Sequence, residues 1–264
     1  MASASPPSSP RRPGRPPRPD NATARANLLD LATQLFAAQG VAATTIANIA
    51  QRAGVTPAML HYYFKSRDQL IDAVVLERIV PVIGYVWAPV PLEPGGAAGG
   101  PAADGPAADG PAAGGTPAAP LPDPASAARG FITEIVGRVV QSATDKPWLP
   151  SLWMHEVVNE GGQLRDRVLR HLPSDRLQAF AGLIAECQRR GAITPGVEPR
   201  LVFLSILGMT LLPLATSNLW RRIWQNDPVA QTIDNDAIAR HAIAMLTGGL
   251  FAPTTPPTSS SSGR

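Results

Sequence analysis

The strongest constraint on the fold is the run from Thr44 to Lys65, in which two helix starts and one helix stop lie close together. Thr45 stands where an N-cap must stand, just before Ile46, Ile49 and Ala50, which share one face at helical spacing. Gly54 ends that helix. Thr56 is a second N-cap, and Pro57 takes the first helical position, where its missing N–H would have had no intrahelical partner anyway. Only Gln51-Arg52-Ala53-Gly54-Val55 separates the two caps, a connection short enough to set the helices at a steep angle, as a helix-turn-helix requires.

On the second helix Thr56, Pro57 and Ala58, with His61 and Tyr62 one turn later, point away from the apolar Met59-Leu60-Tyr63-Phe64 side. Small residues at a helix N-terminus permit close approach to base edges, and free N-terminal amides favour phosphate, so double-stranded DNA is the partner this pattern implies. Tyr63 and Phe64 are expected to close the small core, leaving Tyr62 for phosphate. Lys65 follows as a cation beside the expected backbone. Ser66-Arg67-Asp68-Gln69 predicts a capping box that opens a long helix through Leu70, Val74 and Val75. Upstream, Leu28, Leu31, Ala32, Leu35 and Phe36 predict an amphipathic helix from about Thr23 to Ala38 that stops at Gly40.

The ordered series Leu-x-x-Ala-x-x-Leu-Phe-x-x-x-Gly, Thr-Thr-Ile-x-x-Ile-Ala-x-x-Ala-Gly-Val-Thr and Leu-x-Tyr-Tyr-Phe-Lys-Ser-Arg-x-x-Leu resembles the TetR/AcrR family of transcriptional regulators over roughly residues 20 to 80. The resemblance implies an all-α homodimer: a three-helix DNA-binding domain, then a helical domain that binds a small-molecule effector and, on binding it, releases a palindromic operator. Carried over residue by residue, it puts phosphate contacts at Thr45 and Lys65, and groove contacts at Ala47, Thr56, Pro57, Ala58, His61 and Tyr62. His61 departs from the tyrosine of many members. Imidazole can donate or accept, so operator preference is this chain's own.

Charge is unevenly distributed. Arg11, Arg12, Arg15 and Arg18 against Asp20 give residues 1–20 a surplus of +3, which equals the formal net charge of the whole chain. The intervening prolines exclude a helix, and Gly14-Arg15-Pro16 resembles the core of an AT-hook. Two readings stay open for this basic arm: insertion into a narrow A·T-rich minor groove, or non-specific attraction to the backbone. No apolar segment of the kind a secretory leader needs follows the arginines.

Residues 88–125 are almost entirely Pro, Ala, Gly and Asp, with the tandem Gly100-Pro101-Ala102-Ala103-Asp104 and Gly105-Pro106-Ala107-Ala108-Asp109, and read as a flexible insertion unable to form a core. The expected organisation is therefore an arm (1–20), a DNA-binding domain (21–81), the insertion (88–125), a helical ligand-binding and dimerisation domain (126–250) and a loose tail (251–264). In the larger domain Phe131, Ile132, Ile135, Val136, Val139 and Val140 form one apolar stripe. A second helix starts at Trp148 and ends on Gly161-Gly162, and a third runs from Ser174, as cap, to Arg190. A cavity between them is expected to be lined by Trp148, Trp153, Met154, Phe180, Phe203 and Met209, with His155 and Glu156 as polar anchors; the alternative for Glu156 is an arginine pair.

Leu201 to Trp220 carries no charge and has the length of a membrane span. Pro213 and several hydroxyl residues argue against one, and the resemblance makes this helix, with the final helix capped near Asp234 and carrying Ile238, Ala242, Met245 and Leu246, the dimer's four-helix bundle. Cys187, the chain's one cysteine, excludes an intrachain disulfide and favours a reducing cytoplasm; it reads as a buried, inert thiol, an oxidation sensor being the alternative. His61, His155, His171 and His241 show no metal-ligand spacing, and no nucleophile elbow, phosphate loop or dinucleotide fingerprint occurs, so neither cofactor nor enzymatic chemistry is expected. An architectural DNA-binding protein could use the same arm and reader helix; an effect of a ligand on operator affinity separates the two.

Overall fold

The computed structural model describes residues 21–89 and 123–251. The basic arm with its four arginines, most of the insertion and most of the tail lie outside them. Among the described residues the protein is all-α, without a strand; one isolated bridge joins Ile193 to Phe251.

The first three helices are α1 (Asn21–Gln39), α2 (Ile46–Ala53) and α3 (Pro57–Phe64). Helix α1 buries Leu28, Leu29, Ala32, Thr33, Phe36 and Ala37, with Leu35 only partly buried, so its inward face is centred slightly off the expected stripe. Gly40 stops it at φ +82, a left-handed conformation that glycine adopts without strain. Thr45 caps α2 through a complete capping box: its hydroxyl accepts from Asn48 N at 3.1 Å, while Asn48 Oδ1 accepts from Thr45 N at 3.2 Å. Gly54, at φ +66, closes the helix. Leu60 and Phe64 of α3 enter the core with Ile49, Ala50 and Leu28. Met59, expected on that side, is 42% exposed.

The helix after Ser66 is longer than the DNA-binding domain boundary at residue 81 anticipated. Helix α4 (Arg67–Val74) runs through a π turn (Val75–Ile79) into α5 (Val80–Val86). Ser66 accepts from Gln69 N at 3.2 Å, which is one half of the expected capping box. Pro81 accounts for the π turn: it has no N–H for the Glu77 carbonyl and its ring crowds that position. Arg78 Nη1 donates to the vacated carbonyl at 3.1 Å. Beyond it Ile79, Val82, Ile83, Val86 and Trp87 fall at helical spacing and are all buried.

The larger domain begins with α6 (Pro124–Asp145), so Pro124 and Ala125, assigned to the insertion, form its first turn. Then come α7 (Leu149–Trp153), a second π turn (Met154–Val158), α8 (Arg165–Leu169), α9 (Ser174–Arg189), a 3-10 turn (Pro199–Leu201), α10 (Val202–Ala215), α11 (Ser217–Ile223), α12 (Pro228–Gln231) and α13 (Asn235–Leu250). Pro173 rather than Ser174 is the cap residue of α9. Cys187 is fully buried, its Sγ 3.1 Å from the Pro124 carbonyl; burial, then the nearby Asp123, pushes the thiol up and keeps it protonated. The uncharged run from Leu201 to Trp220 is not one helix: the segments Pro199–Ala215 and Ser217–Ile223 meet at 70°. No single described helix is long and apolar enough to cross a membrane.

Candidate nucleic-acid interface and effector cavity

The reader helix exposes one chemistry and buries another. Thr56, Pro57, Ala58, His61 and Tyr62 are exposed, Tyr62 at 71%, whereas Leu60 and Phe64 are buried and Tyr63 lies between. Tyr63 meets Tyr62 edge to face at 5.1 Å between centroids, and its hydroxyl reaches Asn21 at 3.4 Å. The Thr56 side chain makes no capping bond, so the first turn of α3 keeps its amides unsatisfied by a side chain. Thr45, Ala47 and Lys65 are exposed as well. Lys65 has φ +50, the one left-handed non-glycine among the described residues, and its backbone N–H is held by the His61 carbonyl at 2.9 Å. That strained corner fixes the direction in which the chain leaves the reader.

The geometry of the larger domain separates the expected cavity residues into two groups. A narrow space of about 40 Å³ lies between α5, α6, α7 and α10; Trp153 and Phe203 line it with Ile83, Trp87, Ser142 and Leu211. A cleft of about 510 Å³ continues from it, between the second π turn and α10, and includes Met154 and Val157. Phe180 lines two neighbouring clefts, one shared with Phe203, the other with Trp87, Phe131 and Arg176. Trp148, His155 and Met209 line none of these spaces; Trp148 and Met209 pack against the core and His155 is exposed.

Glu156 is a correction of a different kind. It is 4% exposed and faces away from the cavities, with Oε1 accepting from Val41 N at 2.7 Å and Oε2 from Gln163 N at 2.8 Å. Both its oxygens are thus taken by backbone amides, and among the described residues no arginine pairs with it: it joins the π turn of the larger domain to the α1–α2 turn of the DNA-binding domain. Two glycines permit the approach. A Cβ at Gly40 would stand 3.2 Å from Glu156 Oε1, and one at Gly162 only 2.2 Å from the Glu156 carbonyl oxygen. Around this junction Arg67 donates to the Val41 carbonyl, at 2.5 Å, and to Gln163 Oε1, at 3.2 Å, while Arg167 of α8 pairs with Asp72 (2.7 Å) and Asp68 (3.1 Å) of α4.

The far end of α5 is also held. Arg138, 8% exposed, donates to the carbonyls of Val86 and Ala88 and pairs with Glu134 at 2.7 Å, placing a cation where the helix dipole favours one. Sequence reasoning missed Val41, Gln163, Arg138 and the wall formed by Ile79 to Trp87. The wall alone had a signal, the helical spacing of its five apolar residues. Among the described residues no group of three or more His, Cys, Asp or Glu side chains could hold a metal ion.

Comparison with known proteins bears on both halves. Residues 28–74 match the family of bacterial regulatory proteins described as the tetR family, and residues 130–246 match a tetracyclin repressor-like C-terminal domain. The chain is 42% identical over 53 residues to the HTH-type transcriptional repressor KstR2 of Mycolicibacterium smegmatis, covering 20% of this chain and 26% of that protein. To the HTH-type transcriptional regulator BetI of Rhizobium meliloti it is 43% identical over 51 residues, 19% of this chain and 25% of that one. These matches thus span about a quarter of the length of the curated relatives. Among solved structures, the ketosteroid transcriptional regulator KstR2 of Mycobacterium tuberculosis superimposes with a TM-score of 0.56 at 15% identity, over 86% of this chain and 95% of that one. The fatty acid degradation regulator FadR from Bacillus halodurans gives 0.52 at 15% identity, over the same 86% and 95%. Both likenesses are of fold.

Proposed function

The chain belongs to the TetR family of bacterial regulatory proteins, and from that premise we propose that it is a cytoplasmic, non-enzymatic transcriptional repressor that binds a palindromic operator as a homodimer and is released by a small molecule. The observation that carries this reading is the exposed polar face of α3, with an uncapped first turn, on a helix whose other face is locked into the core. Thr56, Pro57, Ala58, His61 and Tyr62 would enter the major groove, with Ala47 beside them, and Thr45 and Lys65 would hold phosphates on either side. The arm carrying Arg11, Arg12, Arg15 and Arg18 would add contacts to the backbone or minor groove. In the dimer two reader helices would stand about 34 Å apart, one turn of DNA.

Release follows from the junction at Glu156. The effector acts only through its difference in affinity between the DNA-bound and free arrangements. The turn carrying Glu156 lines the cleft with Met154 and Val157, so an occupant that shifts this turn also shifts Val41 and the start of the helix-turn-helix. The test is selection of bound sequences from random duplexes by the purified protein, followed by affinity on the winner at defined salt. An enriched palindrome bound by one dimer supports the reading. A preference without dyad symmetry, or none, counts against it.

A further inference from the structure

We infer that the effector is an anionic amphiphile, with its apolar body in the cleft between the second π turn and α10 and its head group on Arg165. The inference rests on the reading of the chain as a ligand-responsive regulator. The cleft has a volume of about 510 Å³, within the range of small-molecule sites. Trp153, Met154 and Val157 form one wall, and Phe203, Leu207 and Leu211 the other. Arg165 is the single charged residue lining it, and no carboxylate does. Among the described residues Arg165 has no ion-pair partner. Its guanidinium donates from Nε to the Val157 carbonyl at 2.8 Å and from one terminal nitrogen to that of Val158, leaving the other terminal nitrogen without a protein acceptor. A half-buried cation beside an apolar wall, with donors to spare and no counter-charge, selects for an anion joined to an apolar chain; an alkylammonium would meet repulsion and a neutral alcohol would leave the charge unmatched.

The same contact supplies the trigger. The carbonyls that Arg165 holds end the π turn on which Glu156 sits. An anionic head seated on the free terminal nitrogen would draw the guanidinium toward itself and away from these carbonyls, so seating the ligand loosens the turn at the point where it is tied to Val41.

The experiment is displacement of the neutral fluorophore N-phenyl-1-naphthylamine from the full-length protein by decanoate, decan-1-ol and decylammonium, which share one chain length and differ in head group. Decanoate is expected to bind about tenfold more tightly than decan-1-ol, the scale of one charge-assisted hydrogen bond, with decylammonium weakest. In Arg165→Met, which keeps apolar bulk, the preference for decanoate is expected to vanish while decan-1-ol binds as before. Arg176→Met, which alters the neighbouring cleft, should leave the preference in place. Equal affinity for the three head groups in the native protein overturns the ligand class without needing any variant, and a preference that follows Arg176 overturns the site. Release of the selected operator duplex is measured separately: decanoate bound through Arg165 without release would leave the site standing and reject the ligand-responsive reading.

Discussion

His61 and Glu156 show how differently two polar residues of this chain are placed. His61 is exposed on the outward face of α3; among the described residues its side chain makes no hydrogen bond, and its backbone carbonyl accepts from the Lys65 amide. His61→Ala should therefore leave the melting temperature unchanged and weaken the selected operator by about 1–2 kcal/mol, the worth of a good base contact. Unchanged affinity in a quantitative titration would remove His61 from the interface. Glu156 is the opposite case. Replacing it with alanine strands the Val41 and Gln163 amides, each at a cost of about 1–3 kcal/mol if no water takes over. The melting temperature should fall accordingly, and the dependence of operator affinity on effector should weaken with it. A thermal scan that matches the native protein would show that the junction carries no load.

At the scale of elements, the caps and breakers were legible and the departures from ideal helix were not. Thr45, Gly54 and Pro57 bound α2 and α3 through local chemistry alone, and the structure puts each boundary there, with Thr56 at the cap position of α3 but without a capping bond. The second half of the Ser66 box, the bend at Thr216 and the orientation of Glu156 depend on what packs nearby, which spacing does not report. Pro81 lies between these cases. Its effect on the preceding carbonyl is a local matter, so a kink was predictable, but its resolution as a π turn needed Arg78 to take the Glu77 carbonyl. The π turn also turns Glu77 toward Arg25 of α1, which donates to it at 2.6 and 2.8 Å. The Arg25 hydrogen bond holds the Glu77 carboxyl below its ordinary range. A depressed folded-state value means that the stabilisation is present above the unfolded carboxylate value and is lost as pH falls through the folded one. Both side chains are more than a third exposed, so the contribution is under about 1 kcal/mol. Glu77→Gln should cost that little at neutral pH and flatten the acid limb of a stability profile; an acid limb identical to the native one would show that the pair is screened out.

Across the whole molecule, the proposed DNA binding and assembly would rest on surfaces that the single chain leaves open. If the arm touches phosphates, replacing Arg11, Arg12, Arg15 and Arg18 with alanine should reduce the salt slope of operator binding by about 0.9 for each phosphate no longer neutralised; an unaltered slope would exclude the arm. In the proposed dimer, assembly would rest on α10 and α13. Each buries one face inside the larger domain: Ile206 and Thr210 from the first, Ile238, Ala242 and Leu246 from the second. Each also presents a second face at helical spacing to solvent. On α10 and the turn before it these are Leu201, Leu204, Ser205, Gly208 and Leu212, of which Leu204, Gly208 and Leu212 also line the cleft assigned to the effector, so that cleft borders the proposed dimer seam; on α13 they are His241, Ala244, Met245 and Gly248. A helix with two apolar faces is built to be covered twice, and the small residues on the outer faces allow another helix pair to approach closely. Met245, 53% exposed at the middle of that face, is the most direct probe. Met245→Asp puts a carboxylate where two copies would meet, at a position that is exposed in the single chain and about 100° around the helix from buried Leu246, so the monomer should fold with its helical content intact. Sedimentation should then report a monomer where the native protein is expected to give a dimer, and operator binding should collapse, because one reader helix would engage only half of the palindrome. A variant that remains dimeric would move the interface off α13.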